Sequence, residues 1–281
     1  MFKTVQPLIF SFDVEWVPDP LAAAKLFNCP ISTPGEREQA IRRLWAYGGA
    51  TEEKPQPYLK TVLCRVVSLA GILREQPTRK NAPKLRLVSL PMKLDTPWER
   101  QEKAILDGFF ESVGKRKPQL VGYNSSQADV PILVQRAIVN GLSCPGFATR
   151  PEKPWEGVDY FSTASEHNLD LAPLIGRYNQ MPSLNEMARL SGIPGKIDTS
   201  GSGVAELWLE GRTDEILAYN ECDALTTHLV WARFAHFTGH LNEDEYRGEQ
   251  NAVRELIEES IGQGKTHLQR FLDEWDRLAA I

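Results

Sequence analysis

The stretch PLIFSFDVEWVP, residues 7–18, constrains this chain more than any other. Ile9, Ser11, Asp13 and Glu15 alternate there with Phe10, Phe12, Val14 and Trp16. A period of two puts each set on one face of a β-strand. The aromatic set needs a covered face, and Ile9 carries apolar character onto the other, so the strand belongs in the middle of a sheet. Yet it holds two carboxylates whose Cα atoms lie ~6–7 Å apart, given the rise per residue. Two desolvated carboxylates repel and are costly to bury unless something positive sits between them. No Lys or Arg adjoins them in sequence. A divalent cation is the natural counter-charge, and hard oxygen ligands favour Mg²⁺ or Mn²⁺ over zinc. The alternative is an edge strand with solvated acids.

The rest of the chain predicts an α/β sheet covered by helices. Residues 17–60 are rich in proline, with one helical stretch at 35–47, and form an insertion or lid. TVLCRVVSLAGIL (61–73) and KLRLVSLP (84–91) are the second and third strands, joined by a basic turn as in a meander. Thr96 and Pro97 predict a helix start, with Thr96 as the cap, running to about Gly114. A strand follows at 119–124, then a helix at 129–140 stopped by Gly141. Residues 142–168 are irregular, and LDLAPLI (169–175) is a short strand entering a helix. Ser183 and Glu186 form a capping box for a helix ending near Leu190. Further helices are expected at 204–211, 213–237, 243–261 and 265–280. Strand ends and helix starts then gather on one rim, where sites collect.

With 281 residues the chain is long for one domain and short for two. The expectation is a domain over 1–240 with a helical extension, 241–281, packed on it. The opening residues hold too short an apolar stretch for a secretory leader, and no run approaches the ~20 apolar residues of a membrane span. Cys29, Cys64, Cys144 and Cys222 are scattered. Neither a disulfide framework nor a zinc site is expected, and a reduced cytoplasm is. A net charge of −5 argues against a nonspecific nucleic-acid coat protein. It does not argue against an enzyme that neutralises phosphates with bound metal ions.

Two further clusters carry acids. Asp129 lies five residues after Asn124 at a strand-to-helix transition, where an aspartate could equally be a cap. Tyr219 and Asp223 are four apart and share a helix face, a weak signal alone. Taken together, DVE at 13–15, NSSQAD at 124–129 and YNECD at 219–223 resemble the three exonuclease motifs of the DEDD superfamily, tyrosine subtype. The resemblance is nearest to the predicted 3′→5′ exonucleases similar to the proofreading domain of family B DNA polymerases, and it runs from about Phe10 to Arg233. Ala128 departs from the pattern, since an aromatic is common there. Ala218 stands where the histidine subtype would have His.

The resemblance implies a ribonuclease-H-like mixed sheet flanked by helices and hydrolysis of a terminal phosphodiester with two metal ions. Asp13, Glu15, Asp129 and Asp223 would be the ligands of two Mg²⁺ or Mn²⁺ ions ~3.5–4 Å apart. Tyr219 would orient the attacking water. Asn124, Trp16 and Lys196 are candidate substrate contacts. Each has a plainer alternative: Asn124 fixes its loop, Trp16 is core, Lys196 is solvated. Asp170 could support the ligands or simply start a helix. The expected partner is the 3′ end of DNA, single-stranded or frayed. An exoribonuclease of the same fold, a binding module without turnover, and an interaction protein for a polymerase or repair factor are the alternatives.

Overall fold

In the computed structural model, residues 3–79, 81–153, 156–162, 165–177, 180–196 and 203–281 are described. Five strands form the sheet: β1 (Leu8–Pro18), β2 (Cys64–Glu75), β3 (Lys84–Leu90), β4 (Gln119–Gly122) and β5 (Asn168–Asp170). Their order is β3-β2-β1-β4-β5. The meander β1-β2-β3 is antiparallel, whereas β4 runs parallel to β1 and β5 parallel to β4. β1 is therefore central, as its two covered faces require. Gly71 makes the β1–β2 approach possible, because a Cβ there would stand 2.4 Å from the Phe10 ring. Beside the acids the ladder slips: Glu15 faces Ser68 but Trp16 faces Val66, a bulge that leaves Val67 extra.

Eleven helices are described: α1 (Pro20–Phe27), α2 (Pro34–Tyr47), α3 (Trp98–Arg116), α4 (Asp129–Val139), α5 (Pro145–Ala148), α6 (Ala172–Ile175), α7 (Leu184–Leu190), α8 (Val204–Leu209), α9 (Thr213–Phe237), α10 (Glu243–Gly262) and α11 (Leu268–Ala279). Phe10, Phe12 and Val14 face the cluster built with α3 and α4. Ile9 shares the opposite cluster with Leu225 and Leu229 of α9 and with Val253 and Phe271 of α10 and α11. The result is an α/β fold, a mixed sheet flanked by helices, in the ribonuclease-H-like arrangement that the resemblance implies. Among the described residues, no helix is long and apolar enough to cross a membrane.

Several expectations are revised. The insertion holds two helices, not one: Asp19 caps α1 by accepting the Leu21 amide at 3.1 Å, with Pro20 at the first position. That signal follows the strand so closely that it reads as the strand's end. Thr96 is not a cap. Pro97 holds an extended ψ of 135° and occupies the cap position of α3. The Gln101 amide group donates to the Thr96 carbonyl at 2.9 Å, which keeps the preceding turn open. Residues 142–168 contain the single turn of α5.

A buried charge network pins the insertion to the sheet. Arg136 on α4 grips both oxygens of Glu102 on α3 at 2.7 Å and donates to Asp19 at 2.6 Å. Glu102 also accepts the Val66 amide of β2 at 2.9 Å. All three side chains are almost wholly buried. Removing one partner strands the others in low dielectric, at a cost of about 3–5 kcal/mol. Arg136→Met should therefore lower the unfolding free energy by about that amount. A urea denaturation midpoint equal to that of the unaltered protein would show that the network carries no such weight.

Candidate active site

The acids of the first strand meet those of α9 because α9 lies across β1 and β2. Carboxylate oxygens of Asp13, Glu15 and Asp223 all lie within 4.8 Å of one another. Asn220 fixes this meeting. It is fully buried, its Nδ2 donates to Asp13 Oδ2 at 2.6 Å, and its Oδ1 accepts from Ser68 Oγ of β2 at 2.9 Å. One hydrogen-bonded chain thus ties β2, α9 and β1 at the level of the acids.

Asp129 arrives from the other side. β4 pairs with β1 only as far as Ser11, so the edge of β1 beyond it is open. The carboxylate of Asp129, first residue of α4 and 5% exposed, accepts the Val14 amide there as well as its own. The loop that delivers it is held by Asp170. That carboxylate accepts the amides of Asn124 at 2.7 Å and Ser126 at 2.9 Å, and the Ser126 hydroxyl at 2.5 Å. Gly122 lets the chain turn in: a Cβ there would lie 2.3 Å from the Ser125 side chain. Asn124 then takes the left-handed φ of 62°, which asparagine tolerates better than most residues.

The electrostatics are those of crowded, desolvated acids. Burial is the largest cause at each. Asp13 is held well above the ordinary carboxylate range, with Asp129, Glu15 and Asp223 adding to the rise. Glu15 is pushed up to about 8, Asp223 contributing. Asp129 is pushed up to about 7 although the two amides oppose it. Asp223 is raised too, with Lys196 and the Tyr219 hydroxyl pulling the other way. Tyr219 is held far above the usual phenol range by burial and by Asp223, Glu15 and Asp13. It is a neutral donor to Asp223, suited to orienting a polar group and unsuited to accepting a proton.

The expected residues separate in space. Asp13, Glu15, Asp129, Tyr219 and Asp223 come together. Lys196 joins them: its Nζ lies 5.4 Å from the centre of the Tyr219 ring, and its charge opposes the rise at Asp13, Glu15 and Asp223. Its backbone amide is fixed by Asn185 Oδ1 at 2.9 Å. Trp16 does not join them. It packs, half-buried, against the cluster under α3 and α4, on the face opposite Asp13 and Glu15. Asn124 is exposed and acts through its backbone, whose strained turn sets the loop. Asn220 and Ser68 carry no signal of their own in the sequence, beyond the place of Asn220 inside YNECD, between the tyrosine and the aspartate.

The donor set fits hard divalent cations. It is all carboxylate oxygen, three members converge within 4.8 Å, and Lys196 is the positive charge that opposes them.

Three comparisons bear on the site. A family model described as a predicted 3′-5′ exonuclease related to the exonuclease domain of PolB matches residues 56–275. That span begins after β1 and takes in nearly all of α10 and α11, which the sequence resemblance left outside. No curated protein matches the chain. Among solved structures, the chain is similar to the family B DNA polymerase from the hyperthermophilic archaeon Pyrobaculum calidifontis, at 16% identity and a TM-score of 0.49. That similarity covers 82% of this chain and 25% of the polymerase chain, so this chain spans about a quarter of that protein.

Two outcomes follow from the geometry. Because Glu15 and Asp129 keep protons that an unfolded chain has released, stability is present below about pH 4 and lost as pH rises towards about 8. Melting temperature in EDTA should fall across that window, and Glu15→Gln should flatten the fall. A curve that climbs from pH 5 to 8 and is unchanged in Glu15→Gln would contradict it. Second, Asn220→Ala should weaken Mn²⁺ binding about 10–100-fold, the usual cost of losing a group that orients a ligand. Calorimetric titration checks this, and an unaltered affinity would remove Asn220 from the site.

Proposed function

This chain belongs to the family of predicted 3′-5′ exonucleases related to the exonuclease domain of PolB, and on that premise we propose that it removes nucleotides from the 3′ end of single-stranded or frayed DNA. The observation that carries the proposal is the convergence of the Asp13, Glu15 and Asp223 oxygens within 4.8 Å, in a site that raises the pKa of each. In this reading Asp13, Glu15, Asp129 and Asp223 hold two divalent cations, Mg²⁺ or Mn²⁺. Such ions, when bound, supply positive charge for the phosphate and acidify a water.

The chain's own groups do the remaining work. Tyr219, protonated at neutral pH, uses its hydroxyl to fix the position of the attacking water beside the terminal phosphodiester. Water forms the new bond to phosphorus, and the bond to the 3′ oxygen of the preceding nucleotide breaks. The products are a nucleoside 5′-monophosphate and a strand with a new 3′ hydroxyl, which takes up a proton as the water loses one. In this reading the ammonium of Lys196, which stands over the Tyr219 ring, contacts the same phosphate and adds charge that the acids cannot. Asn220 and Asp170 touch no substrate; they hold Asp13 and the Asp129 loop in register. Residues 241–281 act in this reading as part of the same catalytic unit, since α10 and α11 share a core with α9.

A 5′-labelled oligonucleotide incubated with Mn²⁺ should be shortened one nucleotide at a time, giving a ladder. Asp13→Asn and Asp223→Asn should abolish the ladder. Tyr219→Phe should fold normally and slow it roughly 100-fold, the cost of a mispositioned reactant. Turnover that survives excess EDTA, or persists in Asp223→Asn, would falsify the metal-dependent reading. Matched RNA digested in parallel should be shortened more slowly than DNA; the reverse order would overturn the choice of DNA.

A further inference from the structure

Beyond the acids, the charge pattern changes sign. An open groove of 410 Å³ runs between α7 and α11, lined by Arg189, Lys196, Arg270, Asp273, Glu274 and Arg277. Four cations stand there against two carboxylates, on a chain whose net charge is −5. The groove is continuous with the site at two points. Lys196, at its inner end, lies over Tyr219. Arg270 also lines the adjoining 490 Å³ cavity, whose wall includes Tyr219 and Asp223.

The arrangement within the groove is specific. Glu274 accepts from Arg189 of α7 at 3.0 Å and from Arg277 of α11 at 2.7 and 2.8 Å. One carboxylate thus holds two guanidiniums from different helices side by side and leaves a positive charge over. Exposed ion pairs of this kind contribute only about 0–1 kcal/mol, so stability does not account for the cluster. Each guanidinium carries five donors, more than Glu274 engages. Arg270 and Arg277 are seven residues apart on one face of α11, so their Cα atoms are spaced by about 10.5 Å. At ~3.4 Å per nucleotide of a stacked strand, that is about three phosphates. The apolar face of α11, with Leu268, Phe271, Leu272 and Trp275, is buried against the core, so the helix presents its charges from a fixed base.

We propose that this groove is a phosphate track: it holds the nucleic-acid strand upstream of its 3′ end by its backbone, without regard to sequence, and Arg270 and Arg277 are its outer contacts. The inference rests on the exonuclease reading and goes beyond it by giving the strand a route away from the acids and the C-terminal helix a role in binding.

The test is salt-dependent binding of a fluorescein-labelled, single-stranded 12-nucleotide DNA in EDTA, where the strand stays intact. Arg270→Ala/Arg277→Ala should weaken binding about tenfold near 100 mM NaCl. The slope of log affinity against log salt should become shallower by about 1.4, or ~0.7 for each phosphate that the protein no longer neutralises on a single strand. Lys103→Ala, on α3 across the sheet, should leave affinity and slope unchanged. In Mn²⁺ the double variant should show a raised KM for the 12-mer with kcat within twofold of the unaltered protein, a split that a loss of fold would not give. Should the double variant misfold, Arg270→Gln alone should shift the slope by about 0.7. The track is overturned if the unaltered protein degrades DNA and the folded variants bind with the same affinity and slope. If the unaltered protein neither binds nor degrades the strand, the exonuclease reading fails, and the track with it.

Discussion

The structure depends on holding carboxylates together where water cannot screen them. Asp13, Glu15 and Asp223 crowd within 4.8 Å and Asp129 adds its field. Nothing in this arrangement favours folding by itself; burial and mutual repulsion both oppose it. The fold offsets the cost with fixed groups. Asn220 donates to Asp13, the Val14 amide to Asp129, and Tyr219 to Asp223, with Lys196 nearby. Each of these donors sits on a rigid element rather than a free loop, apart from Lys196, which Asn185 tethers.

The other buried acids make the contrast clear. Asp19 and Glu102 are paired with Arg136. Glu249 is paired with Arg74. Glu221 stands two residues from Asp223, and burial works against its charge. Hydrogen bonds from His267, Lys265 and Ser89 nevertheless hold its pKa below the ordinary range. So the same helix carries one acid compensated by three donors and, half a turn on, another left proton-hungry among its own kind. Among the described residues, these structural acids have charged partners, whereas the group of four has neutral donors and the nearby Lys196, a donor set that fits positively charged ligands.

Much of this was legible in particular residues. The alternation around Phe10 and Phe12 located the central strand and put Asp13 and Glu15 on a common face. Ser183 and Glu186 announced the start of α7. Local signals failed where a competing local conformation won. Pro97, extended, displaced the cap that Thr96 offered, and Asp19-Pro20 opened a helix where the strand was still ending. Trp16 shows another limit. Its place beside Glu15 in the sequence is the reason it faces away from Glu15 in the sheet, since successive strand residues point to opposite faces.

The sequence by itself determined which side chains are the candidates for the chemistry and which local structures bear them, because strand alternation, helix spacing and caps act over a few residues. Only the tertiary structure decided what those side chains meet. Asn220 reaches Asp13 across 207 positions, Asp170 braces the loop of Asn124 across 46, and Arg189 shares Glu274 with Arg277 across 85. Such contacts depend on how helices lie across a sheet, and a hydrogen bond or a repulsion is felt only over a few ångströms of space, whatever the separation along the chain.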